Sequence, residues 1–119
     1  MALDNAHTNS AYTSNEPSPA EVAALKGPAL LEFGSPTCGY CRAAQPHIAA
    51  ALAAHAGVRH TKVADGSGRA LGRSFGVKLW PTLVFLADGR EVARLVRPGD
   101  AAPIRDALQR IDPPARPAA

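Results

Sequence analysis

Hydrophobic positions along this chain come in short blocks whose spacing changes from helical to extended and back. Ser18-Pro19-Ala20-Glu21 opens the first ordered block, with serine and glutamate three apart as a capping box and proline at the first helical position. A short helix is predicted to run to about Leu25 and to stop at Lys26-Gly27. Ala29-Leu30-Leu31-Glu32-Phe33 is an apolar run broken by one carboxylate and predicts a buried strand, ended by Gly34-Ser35-Pro36-Thr37. From Gly39 to about His55 the pattern is helical and alanine-dense, with Pro46 inside it to kink the axis and Gly57 as a stop. Val58 to Ala64 predicts a second strand, and Arg69 to Ser74 a short helix after the loop Asp65-Gly66-Ser67-Gly68. Thr82-Leu83-Val84-Phe85-Leu86 is the strongest strand signal, and Asp88-Gly89 turns it into a hairpin with Glu91 to Val96. After Pro98-Gly99, Asp100 caps a last helix from Ala101 to Ile111.

The order helix, strand, helix, strand, helix, strand, strand, helix predicts an α/β fold. It is a small mixed central sheet, parallel first and closed by an antiparallel C-terminal hairpin, flanked by helices on both faces. Residues 1–17 show no periodicity and are expected to be a flexible tail, 18–112 the domain, and 113–119 a second tail interrupted by prolines.

Composition narrows the function classes. The 119 residues suffice for one domain, and 46% hydrophobic content is ordinary for a globular chain. A balance of 13 basic against 10 acidic residues, spread from Lys26 to Arg116, forms no basic stripe interleaved with aromatics, so no nucleic-acid partner is expected. No apolar run nears the roughly 20 residues of a membrane span. Met1 to His7 carries neither basic leader nor hydrophobic region, so a cytoplasmic address is expected, with a periplasmic one open if a signal was trimmed.

The two cysteines, Cys38 and Cys41, change the picture most. A bridge between residues three apart encloses too little chain to stabilise a fold, so its purpose is chemical. The pair sits where a strand's loop meets a helix, among unpaired amide groups and at the positive end of the helix dipole. Both favour negative charge on the first sulfur, which makes Cys38 the attacking residue and the more buried Cys41 the resolving one. Half a zinc site is the competing reading, but His7, His47, His55 and His60 include no pair at ligand spacing, so no metal is expected.

At this point the chain resembles the thioredoxin family, over about residues 19–111. The features that carry the resemblance are Leu31 to Cys41 as strand, loop and Cys-Gly-Tyr-Cys motif, Pro46 in the following helix, Trp80-Pro81-Thr82 before a strand, the Asp88-Gly89 turn, and Gly99. The resemblance implies a protein-disulfide reductase without bound cofactor, acting on disulfide-containing proteins as a monomer and reset by an external reductant, thioredoxin reductase-like or glutathione. It also implies a cis bond before Pro81 and a substrate surface of Trp80, Pro81, Gly39 and Tyr40, where the backbone of Trp80 pairs with an extended substrate. Glu32 stands where many family members carry a buried acid; the implied role is proton acceptor for Cys41 through water, with a pKa raised by burial. Lys62 resembles the lysine that pairs with that acid. Thr37 and Gly34 replace aromatic residues usual in the family, and Tyr40 replaces a proline, which shifts the potential within a range of about −270 to −120 mV. Tyr40 also keeps open a glutathione-linked, oxidising or isomerising enzyme, and the Trp80 groove a binding module without turnover.

Overall fold

The computed structural model describes residues 12, 13 and 15–114. Its elements follow the predicted order: α1 (Pro19–Ala23), β1 (Pro28–Gly34), α2 (Gly39–Leu52), β2 (Arg59–Ala64), α3 (Ala70–Ser74), β3 (Thr82–Ala87), β4 (Arg90–Val96) and α4 (Ala101–Ile111). The capping box at Ser18 and Glu21 closes in both directions, with bonds of 2.8 and 3.1 Å. α2 ends three residues before the predicted His55, and α4 has its predicted limits.

Four strands form one sheet in the order β2-β1-β3-β4. β1 and β2 are parallel, while β1–β3 and β3–β4 are antiparallel. The crossover through α2 produces the parallel pair, and the two-residue turn at Asp88-Gly89 produces the β3–β4 hairpin. Both turn residues have positive φ, 50° and 79°, as a primed hairpin turn requires. Gly89 also lies against the Ala23 backbone, where a Cβ has no room.

Alternation along β1 and β3 divides the core. Leu30, Leu83 and Phe85 pack with Ala44, Ile48 and Leu52 of α2 and with Ile104 and Leu108 of α4. Ala29, Leu31, Phe33, Val84 and Leu86 face the other way, towards Val22 of α1 and Leu71 of α3. Each Leu, Ile, Val or Phe among them removed from water contributes about 1.5–3 kcal/mol, so the two layers hold the sheet between them. Glu32 falls on the α2 face with Leu30, and its exposure is 0%.

The predicted boundary of the N-terminal tail needs correction. Residues 1–11 and 14 lie outside the described residues, but Thr13 bridges Val63 in parallel, taking a bond from Ala64 N–H and donating to Lys62 C=O at 2.9 and 2.8 Å. Glu16 Oε2 accepts from Leu71 N–H at 3.0 Å. The free edge of β2 supplied unpaired backbone groups that composition alone does not reveal. At the other end, Pro113 and Pro114 are exposed, and 115–119 lie outside the described residues.

Candidate active site

Cys38 is the N-cap of α2 and Cys41 lies in its first turn. The Cys41 amide donates to Cys38 Sγ at 3.1 Å, so the helix terminus directs an N–H at the first sulfur as expected. Cys38 is half-buried, whereas Cys41 is 1% exposed. Both thiols are free. Burial foremost, and then the hydrogen bond with Cys38, push the Cys41 thiol from 9.0 up to about 11. At pH 7 only about one Cys41 in 10⁴ is then a thiolate without help, so this sulfur needs a proton acceptor.

The Trp80–Pro81 bond is cis. It brings the Trp80 carbonyl to 3.9 Å from Cys38 Sγ, the juxtaposition predicted for the substrate surface. The Trp80 ring is fixed by its Nε1–H donating to Asp65 at 2.8 Å. Arg97, from the end of β4, was not anticipated. Its Nε–H donates to the Trp80 carbonyl at 2.8 Å, and its guanidinium lies 3.9 Å from the centre of the Tyr40 ring. Tyr40, 59% exposed, is thus held by a cation–π contact, a charge-over-face arrangement that neither residue's local sequence announces.

Behind the cysteines is a cluster around Glu32. His60 Nε2 lies 2.8 Å from Glu32 Oε1, while the Tyr12 hydroxyl and Gln45 Nε2 donate to Oε2 at 2.6 and 2.8 Å. Burial raises the carboxyl's pKa, but hydrogen bonds from His60, Tyr12 and Gln45 outweigh it and bring the group below the ordinary 4.5. The expectation of a raised value is corrected accordingly: three donors stabilise the charged form in a place that burial alone would neutralise. Pairing of Lys62 with Glu32 is also corrected. The two are in register on adjacent strands, yet Lys62 Nζ donates to Gln45 Oε1 at 3.0 Å and lies 4.7 Å from the Tyr12 ring centre. With both carboxylate oxygens engaged by other donors, the ammonium reaches Glu32 only through Gln45.

Three members of this cluster were missed in the sequence. Gln45 had a signal, since it lies one turn after Cys41 and donates to that residue's carbonyl at 2.9 Å. His60 shares a strand face with Lys62, a weaker hint. Tyr12 had none, being 20 residues from Glu32 in a segment without periodicity. Among the described residues, no three His, Cys, Asp or Glu groups converge in a way that could hold a metal ion.

A pH dependence follows from Glu32. Its folded value is depressed, so its contribution to stability is full above the unfolded value near 4.5 and is lost as pH falls through the folded one. The stability of wild type, read by chemical denaturation, is expected to fall below about pH 4.5, and Glu32→Gln to show a flatter acid limb. Equal acid limbs in the two proteins would refute this assignment.

Comparison with known proteins fits this geometry. The family model described as thioredoxin matches residues 10–110. Thioredoxin 2 from Pseudomonas aeruginosa PAO1, solved in its reduced form, is 51% identical, with a TM-score of 0.79 over 87% of this chain and 96% of that one. Thioredoxin Asp f 28 from Aspergillus fumigatus is 24% identical over 111 residues, 93% of either chain. Protein disulfide-isomerase erp38 from Neurospora crassa is 43% identical over 67 residues, 53% of this chain and 18% of that protein. Among the described residues no helix is long and apolar enough to cross a membrane. With a cysteine pair at the head of α2, a cis proline loop facing it and a family match over most of its length, the chain is a thiol–disulfide oxidoreductase and belongs to the thioredoxin family.

Proposed function

We propose that this chain reduces protein disulfides, with Cys38 attacking and Cys41 resolving. The Cys38 thiolate attacks one sulfur of the target disulfide, and the other sulfur leaves as a thiolate. Cys41 then attacks Cys38 Sγ, forming the Cys38–Cys41 bond and releasing the second substrate sulfur. Two electrons pass from the dithiol to the substrate, and an external reductant of the thioredoxin reductase or glutathione type restores the pair. A cytoplasmic compartment suits that direction, because a reducing pool keeps the dithiol available.

The observation that carries the order of attack is the contrast in access, with Cys38 half-buried at the N-cap and Cys41 1% exposed behind it. An extended substrate is proposed to lie along Trp80 and Pro81 beside Gly39 and Tyr40. Arg97 already donates to the Trp80 carbonyl, so docking exchanges one hydrogen bond for another there. Glu32 is the proposed proton acceptor for Cys41; its ionised state supports that part, although its lowered pKa makes it a weaker base than burial alone suggests. The test is dithiothreitol-driven reduction of insulin, read as turbidity. Wild type is expected to accelerate it and Cys38→Ser to leave it at the blank rate. Wild type no faster than blank would overturn the reductase reading.

A further inference from the structure

Beside the buried sulfur, Gly34 leaves a gap that the Tyr12 hydroxyl enters. A Cβ at position 34 would lie 2.7 Å from Cys41 Sγ and 2.7 Å from the Tyr12 hydroxyl oxygen. The two atoms therefore flank the same small space, and each acts on the other: the Tyr12 hydroxyl favours the ionised form of the Cys41 thiol, and the thiol disfavours that of the phenol. The same hydroxyl is 2.6 Å from Glu32 Oε2. A phenol has one O–H, and Glu32 in its ionised form has none to give. The hydroxyl then donates to Glu32, and the phenol oxygen keeps a lone pair with which to accept a proton from Cys41 across the shared space. Thiol, phenol and carboxylate thus stand in the order that a proton moving from Cys41 to Glu32 needs.

We propose that Tyr12 is a catalytic residue, relaying the proton directly from the Cys41 thiol to the Glu32 carboxylate during resolution of the mixed disulfide. This rests on the reductase reading and replaces the water expected between the two groups with a side chain. In the step, Cys41 Sγ gives its proton to the Tyr12 oxygen as the Tyr12 proton passes to Glu32 Oε2. The sulfur's electron pair forms the Cys38–Cys41 bond, and the Cys38–substrate bond breaks with its pair on the departing sulfur. Glu32 then returns its proton through Tyr12 to the cleft lined by Ser35, Pro36, Arg42, Gln45 and Lys62.

Burial and the Glu32 charge hold the phenol's own pKa far above its ordinary value. Tyr12 thus never stores the charge; it can pass a proton only by losing one as it gains one. Thr13 anchors the segment on β2, and Lys62 lies against the ring face, so the hydroxyl is placed by backbone pairing as well as by its own bonds. The titratable groups facing the relay are Cys38 and Arg42 from the start of α2, Glu32 from β1, and His60 and Lys62 from β2.

The test uses the full reduced chain and 5,5′-dithiobis(2-nitrobenzoate), which releases one thiolate when Cys38 attacks and a second when Cys41 resolves. Tyr12→Phe keeps the ring and removes the hydroxyl. Its second phase is expected to slow on the order of 10²-fold at pH 7 while the first is unchanged. Without a relay the variant depends on free Cys41 thiolate, so its second phase should rise about tenfold per pH unit, more steeply than wild type, and the deficit should narrow towards pH 9.5. A second phase within about twofold of wild type, a deficit constant with pH, or equal slowing of both phases would overturn the relay. Failure of wild type to reduce insulin or to show a second phase removes the underlying reductase reading, a result separable from all of these.

Discussion

Cys41→Ser is expected to halt the reaction at a covalent intermediate, with insulin or another disulfide substrate bound through Cys38 at about one adduct per chain. The expectation follows from geometry. A substrate sulfur can approach Cys38, which is half-buried and 3.9 Å from the Trp80 carbonyl, but Cys41 lies 1% exposed behind it. A serine hydroxyl is hardly ionised near neutral pH and cannot displace the bound sulfur, so the mixed disulfide outlives the assay. Cys38→Ser should form no adduct, because the remaining thiol is 1% exposed and its burial disfavours the thiolate. Non-reducing electrophoresis and intact mass measurement read both variants. An adduct on Cys41 in the Cys38→Ser protein would reverse the assigned order. The effect is the largest expected here, since each change takes catalytic turnover to the blank rate.

That assignment was legible before any coordinates, and the reasons are local. Cysteines three apart at a strand-to-helix junction place the first at a helix N-terminus whatever the rest of the chain does. Leu31 and Phe33 on one face of a doubly covered strand force Glu32 to the other, so its burial followed from alternation. Its electrostatics did not. Whether a buried carboxyl is raised or lowered depends on how many donors reach it, and those come from α2, β2 and the N-terminal segment, which only tertiary packing assembles. Tyr12 is the extreme case. Thr13 pairs with the open edge of β2 through backbone groups that any residue carries, so no side-chain pattern marked the segment as ordered. Arg97 was hidden for a related reason: its two contacts, with Trp80 and Tyr40, join three separate parts of the chain.

Gly34→Ala is the other substitution with a large expected effect, and it tests the space that the relay occupies. A methyl group there meets Cys41 Sγ and the Tyr12 hydroxyl at 2.7 Å each, closer than van der Waals contact permits. Both contacts must open, and the larger movement falls to the less firmly held side chain. Cys41 is held in a helix whose next turns carry the core residues Ala44 and Ile48, whereas among the described residues the Tyr12 segment pairs with the sheet through the isolated bridge at Thr13. Tyr12 should therefore yield, breaking its bond to Glu32 and leaving the carboxylate with two donors. Overpacking of this kind costs about 1–3 kcal/mol, and resolution should fall on the order of 10²-fold, the same loss expected of Tyr12→Phe. The double variant Gly34→Ala/Tyr12→Phe makes the argument sharp. Phenylalanine lacks the oxygen that collides with the new methyl, and the relay is already absent, so the second change should add little to resolution kinetics and restore part of the stability. Coupling of this sign in a double-mutant cycle, measured by denaturation and by the second thiolate-release phase, is the expected result. Strict additivity in both measurements would mean that Gly34 and Tyr12 act independently, and that the glycine is not there to admit the phenol.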